Sequence, residues 1–174
     1  MASRLVVLVG PMGSGKSTVG RALAHRMGIG HIDTDDIVVD RLGRPIEEVF
    51  ATDGEATFRE AESAALSAAL DGIDAVVSTG GGIVMAPDNR RALETSTAFV
   101  VWLDASVATL MRRVGDGAGR PVLTGDVRGA LTATVEDRKP RYREVADLRI
   151  DTSNLSHSEC VDEIVAALQD RDSQ

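Results

Sequence analysis

Gly10-Pro11-Met12-Gly13-Ser14-Gly15-Lys16-Ser17 matches the spacing G-x-x-x-x-G-K-[ST] in full, and no other stretch restricts the fold so tightly. At average residue frequencies a chance match in a chain this long is on the order of one in a hundred. The flanks have the form the motif requires. Leu5–Val9 is an unbroken run of apolar β-formers, as a strand covered on both faces should be. Ser17–Met27 reads as a helix stopped by Gly28. A glycine-rich turn between a buried strand and a helix aims successive backbone N–H groups at an anion, and the helix N-terminus adds a favourable field. Lys16 is then expected at the terminal phosphates of a nucleoside triphosphate and the Ser17 hydroxyl on Mg²⁺, while Thr18 sits on the helix surface near the α-phosphate. A guanine-reading N-K-x-D element is absent, so ATP is the expected nucleotide.

Strand-like and helix-like segments alternate along all 174 residues, with no repeat, linker or low-complexity tract. Strands are expected at Leu5–Val9, Ile29–Ile32, Ala75–Ser78, Ala98–Leu103 and Leu148–Ile150. Helices are expected between them, including Val127–Val145, which Pro140 should bend or interrupt, and a last one capped by Ser156 with Glu159 in the capping-box position. The pattern predicts a three-layer α/β/α domain spanning 1–174, with ligands at the carboxyl ends of the strands.

The 27 acidic residues outnumber 19 basic ones, giving a net charge of −8, which argues against nucleic-acid binding. Apolar runs of about five residues are far below the roughly 20 needed to span a bilayer, so no membrane segment is expected. No signal-peptide pattern opens the chain, and the cytoplasm is the expected location. The single cysteine, Cys160, excludes an internal disulfide framework and reads as a small apolar contact. A monomer is the expected state. His25, His31 and His157 are scattered and receive no role.

Polar clusters follow the second and third strands. Asp33-Thr34-Asp35-Asp36 gathers carboxylates that suit either a metal and an acceptor hydroxyl or a helix cap. Asp104, which ends the apolar run Phe99–Leu103, is an equally good magnesium carboxylate by spacing. Gly80-Gly81-Gly82 makes sense where a ligand approaches the main chain. Arg59 and Glu62 share a helix face and can pair, leaving an Arg fork for a carboxylate; Arg138 offers a second fork. Arg120, after the glycine-rich stretch 115–119, suits a lid that brings charge to a transferring phosphoryl group.

Taken in order, the phosphate loop, Asp33-Thr34-Asp35, Arg59-x-x-Glu62, Val76-Val77-Ser78-Thr79-Gly80-Gly81-Gly82, Arg120-Pro121-Val122-Leu123 and Arg138-x-Pro140-x-Tyr142 resemble the shikimate kinases over essentially the whole chain. The arginine–glutamate and triple-glycine combination is specific to that family. The resemblance implies the P-loop kinase fold of the nucleoside-monophosphate-kinase type, with a five-stranded parallel sheet of order 2-3-1-4-5. It implies transfer of the ATP γ-phosphoryl group to the 3-hydroxyl of shikimate, with Mg²⁺. It makes Gly13, Ser14, Gly15, Lys16, Ser17, Thr18, Arg113 and Arg120 the ATP contacts, with Arg113 near the adenine. Asp35, Arg59, Gly80, Gly81, Gly82 and Arg138 become the shikimate contacts, within an acceptor region of about 33–62 and under a lid of about 115–125. It selects Asp33 over Asp104 as the magnesium-side or base-like carboxylate, reached through water. The segment 151–156 lacks the basic residue or proline that members often place beside the adenine. A related kinase for gluconate or a nucleoside monophosphate is disfavoured by Arg59, Glu62 and the triple glycine.

Overall fold

A computed structural model describes residues 4–72, 74–115 and 126–173. Strand β1 (Val6–Val9) leads through the phosphate loop into α1 (Lys16–Met27). Then come β2 (Gly30–Asp33), α2 (Thr34–Leu42), α3 (Ile46–Thr52) and α4 (Gly54–Leu70). Strand β3 (Ala75–Ser78) is followed by a 3₁₀ turn (Ile83–Met85) and α5 (Pro87–Thr95). Strand β4 (Phe99–Asp104), α6 (Val107–Val114), α7 (Val127–Val145), β5 (Leu148–Asp151) and α8 (His157–Asp172) complete the chain.

The strands form one parallel sheet of order β2-β3-β1-β4-β5, as the family resemblance implies. In β1, Val6 sits beside Val76 on one neighbour and Phe99 on the other. Residues alternate faces along each strand, so the three central strands β1, β3 and β4 each feed two cores. Val7, Val9, Val77, Val100 and Trp102 pack on one side with Leu66 of α4, Leu93 of α5 and Tyr142 and Val145 of α7. Val6, Leu8, Val76, Phe99, Val101, Leu103 and Ile150 pack on the other with Val19 and Leu23 of α1 and Cys160 and Ile164 of α8. The three layers follow from this two-sided apolar pattern, and Cys160 is the buried apolar contact its sequence suggests.

Strand edges differ from expectation by about one residue. β2 runs one residue later because Gly30 to Asp33 pair with Ala75 to Ser78 in register. Pro140 does not interrupt α7, although interruption was one of the two effects expected of it. It lies on the exposed side of the helix, where water can meet the Glu136 carbonyl that lacks its usual donor. Leu131, Val135, Tyr142 and Val145 hold the buried side continuous across it. Ser156 caps α8 in a full capping box with Glu159. No described helix is long and apolar enough to cross a membrane.

The parallel arrangement puts the ends of β1, β2 and β3 at one edge of the sheet. The phosphate loop, Asp33–Asp35 and the triple glycine therefore meet there.

Candidate active site

Gly13 and Gly15 adopt φ of 80° and 98°, which lets the chain curl between β1 and α1 without a Cβ penalty. Lys16 opens α1, and its Nζ donates to the Gly10 and Pro11 carbonyl oxygens at 2.8 and 2.9 Å. The ammonium is thus already folded over the loop that would hold phosphate. Its backbone is fixed from beneath. Ser78 Oγ donates to the Lys16 carbonyl oxygen at 3.0 Å and lies 2.9 Å from His31 Nε2. Because the single Ser78 hydroxyl proton faces Lys16, His31 Nε2 is the donor of that second bond. Burial lowers the His31 pKa, and Asp33 opposes the shift.

Asp33 has two duties. Its Oδ1 accepts from the Asp35 backbone N–H and caps α2, while its Oδ2 accepts from Ser17 Oγ at 2.7 Å. The helix cap that the sequence offered as one alternative is formed, and the same carboxylate keeps its other oxygen on Ser17. Asp104 is occupied elsewhere. It is buried, bonded to the Ala105 N–H and paired with Arg149 at 2.7 Å, so it is the strand terminus that the resemblance implies.

Asp35 and Glu62 converge on Gly80 from α2 and α4. Asp35 Oδ1 and Glu62 Oε1 are both buried and accept no hydrogen bond among the described residues. A Cβ on Gly80 would stand 2.5 Å from Glu62 Oε1 and 3.2 Å from Asp35 Oδ1, so only glycine leaves room there. Burial, reinforced by the Asp33 and Glu62 charges, pushes the Asp35 pKa up to about 6. Burial also raises Glu62, against the pull of Arg59.

The Arg59–Glu62 pair read from the sequence forms at 2.8 Å, with the Glu62 side chain 1% exposed. Glu55 takes the Arg59 guanidinium from its other side at 3.1 Å. A Cβ on Gly82 would collide with that guanidinium. Arg138 of α7 is buried, with Nη1 3.4 Å from where a Gly81 Cβ would lie. The two forks thus flank the triple glycine from opposite elements.

A cleft of about 440 Å³ joins these parts. Gly13, Gly15, Lys16, Ser17, Thr18 and Asp33 line one end, and Asp35, Gly80 and Gly81 the other. Arg113 also lines it and is held flat by bonds to the Gly13 carbonyl at 3.3 Å and to Thr152 Oγ1 and the Thr152 carbonyl at 2.9 and 2.8 Å.

A family model described as shikimate kinase matches residues 12–169. The shikimate kinase of Mycobacterium avium is 45% identical, covering 93% of this chain and 92% of that protein. That of Symbiobacterium thermophilum is 44% identical over 95% and 97% respectively. The chain belongs to the shikimate kinase family. The solved shikimate kinase from Acinetobacter baumannii in complex with shikimate superposes with a TM-score of 0.93 at 31% identity, covering 97% of this chain and 94% of the other.

Within the family frame, the residues singled out by sequence divide by position. Lys16, Ser17, Thr18, Asp33, Asp35, Gly13, Gly15, Gly80, Gly81 and Arg113 line the cleft. Arg59, Arg138 and Gly82 stand behind its glycine wall. The Ser14 side chain is buried under the loop and does not line the cleft. Arg120 and residues 116–125, where the lid was expected, lie outside the described residues.

Three wall residues carried no role in the sequence reading: Met12, Thr79 and His157. Thr79 was legible as the last polar residue before the triple glycine. His157 was not, because it approaches Gly15 only through the packing of α8 on α1; its ring lies 3.8 Å from where a Gly15 Cβ would be. It directly follows the segment 151–156, where the sequence lacks the basic residue or proline that members often carry.

Proposed function

We propose that this chain transfers the γ-phosphoryl group of ATP to the 3-hydroxyl of shikimate, giving shikimate 3-phosphate and ADP. Membership of the shikimate kinase family makes it an ATP-dependent kinase with shikimate as acceptor. The observation that carries the residue roles is the single cleft, with a phosphate loop at one end and two unpartnered buried carboxylate oxygens beside the other.

Lys16 and the loop N–H groups hold the β- and γ-phosphates. Ser17 Oγ and Asp33 Oδ2 are hard oxygen donors, and no described group of three His, Cys, Asp or Glu competes for a metal. That donor set fits Mg²⁺, which keeps several waters and takes its remaining ligands from substrate phosphates. Ser17 would hold the ion directly and Asp33 through water; when bound, it neutralises charge on the β- and γ-oxygens.

At the acceptor end, Arg59 and Arg138 clasp the ring carboxylate, and Gly80 to Gly82 let the ring approach the main chain. Asp35 accepts a hydrogen bond from the hydroxyl. Its carboxylate, at the acceptor end of the cleft, is placed to take that proton as the new oxygen–phosphorus bond forms and the bond to the β–γ bridging oxygen breaks. Arg113 and His157 face the nucleoside end. Arg120, by the family resemblance, would neutralise the transferring group.

The test is ADP release over a panel of hydroxylated acids. Turnover with shikimate, and little with gluconate or without an acceptor, is the expected result. Turnover independent of acceptor, or preferring gluconate, overturns the reading.

A further inference from the structure

Tyr142 follows Arg138 by four residues on α7, so both side chains leave the same face of the helix. Its ring is fully buried and stacks on Trp102, with centroids 5.8 Å apart and planes at 27°. Its hydroxyl donates to the Gly81 carbonyl oxygen at 2.5 Å. Burial pushes its pKa up to about 12, which keeps it a donor.

Gly81 occupies a narrow space. A Cβ there would lie 3.3 Å from the Met12 nitrogen, 3.4 Å from Arg138 Nη1 and 3.5 Å from the Gly10 carbonyl oxygen. The residue is therefore a spacer between the phosphate loop and the Arg138 fork. Three successive glycines have no side chains to fix this spacing, and their backbone freedom is large. The rigid anchor comes from α7.

We propose that Tyr142 is a positioning residue for phosphoryl transfer: by holding the Gly81 carbonyl, it sets the distance between the acceptor-binding wall and the phosphate loop. Tyr142 does not line the cleft. The inference rests on the acceptor roles given above to Gly81 and Arg138.

Tyr142→Phe keeps the stacked ring and removes the donor. Leaving this part-buried carbonyl without its donor should raise the KM for shikimate by about tenfold and lower kcat, with the KM for ATP changed less than about twofold. Val145→Ala is the comparison variant, since it loosens the same core without touching Gly81. It should lower the melting temperature but leave the shikimate KM within about twofold of the parent. Equal rises in both variants, or no rise in Tyr142→Phe, overturn the proposal.

Amide hydrogen exchange on the ligand-free proteins gives a readout independent of substrate identity. Exchange over residues 80–83 should be about tenfold faster in Tyr142→Phe and unaltered in Val145→Ala. Unaltered exchange in Tyr142→Phe also overturns the proposal. If the parent enzyme shows no shikimate-dependent turnover, the assigned substrate fails, while this exchange comparison still decides the role of Tyr142.

Discussion

Asp35 shows how a single carboxylate is tuned by its neighbours. It lies on the first turn of a helix, where a negative charge is normally favoured. Burial and the flanking carboxylates outweigh that and raise its pKa to about 6. Since the folded pKa exceeds the unfolded one, the folded state binds this proton more tightly. The ionised group then costs stability above pH 6, and the cost is relieved between pH 6 and 4. Asp35→Asn should therefore stabilise the unliganded protein at pH 8 by on the order of 2 kcal/mol, and flatten the pH dependence of its urea midpoint in that window. The same variant should lose at least about a hundredfold in kcat/KM. A variant less stable than the parent at pH 8 would show that the carboxylate is not under strain. Arg59→Ala should raise the KM for shikimate about tenfold or more while changing that for ATP less than about threefold, because its guanidinium borders only the acceptor side. Steady-state kinetics with each substrate varied in turn would reveal an equal effect on both, which contradicts that placement. At this scale the sequence was informative where partners are close along the chain: Arg59 with Glu62, and Asp33 with Asp35. It was silent on His31 with Ser78 and on Tyr142 with Gly81, whose partners are 47 and 61 residues apart.

Among the elements, α1 is the one whose placement the site depends on most, because it carries Lys16, Ser17 and Thr18. It sits close against β3 because Gly20 has no side chain. A Cβ there would stand 2.5 Å from Ser78 Oγ and 2.8 Å from His31 Nε2. Alanine is the better helix former by up to about 1 kcal/mol, yet Gly20→Ala should destabilise by about 1–3 kcal/mol, since the clash pushes α1 off the sheet or breaks the hydrogen bonds beneath Lys16. Urea denaturation measures the sign directly, and a stabilised variant would show that the contact yields freely. Element type and order followed from local pattern: continuous apolar runs for central strands, and glycine at helix ends. Where local pattern misled, at Pro140, the buried face of α7 outweighed the proline. The 3₁₀ turn at Ile83–Met85 went unread because its two buried apolar residues resemble any short core segment.

The whole molecule places its donor and acceptor machinery at one sheet edge, a consequence of parallel strands joined in the order β2-β3-β1-β4-β5. Strand order itself came from family resemblance, since alternating elements specify a parallel sheet but not which strand is central. Ligands that bind only the folded state stabilise it by mass action. At about 100 times its dissociation constant, shikimate with ADP and Mg²⁺ should raise the melting temperature by about 5–10 °C, and gluconate should add little beyond ADP and Mg²⁺ alone. An equal shift with gluconate would mean that the acceptor end does not discriminate. The most direct measurement is a crystal structure of the ternary complex with shikimate and ADP. The ring carboxylate should lie between Arg59 and Arg138, a ring hydroxyl against Asp35, and the β-phosphate against Lys16. A carboxylate remote from both arginines, or a diphosphate bound away from Lys16, would contradict the account.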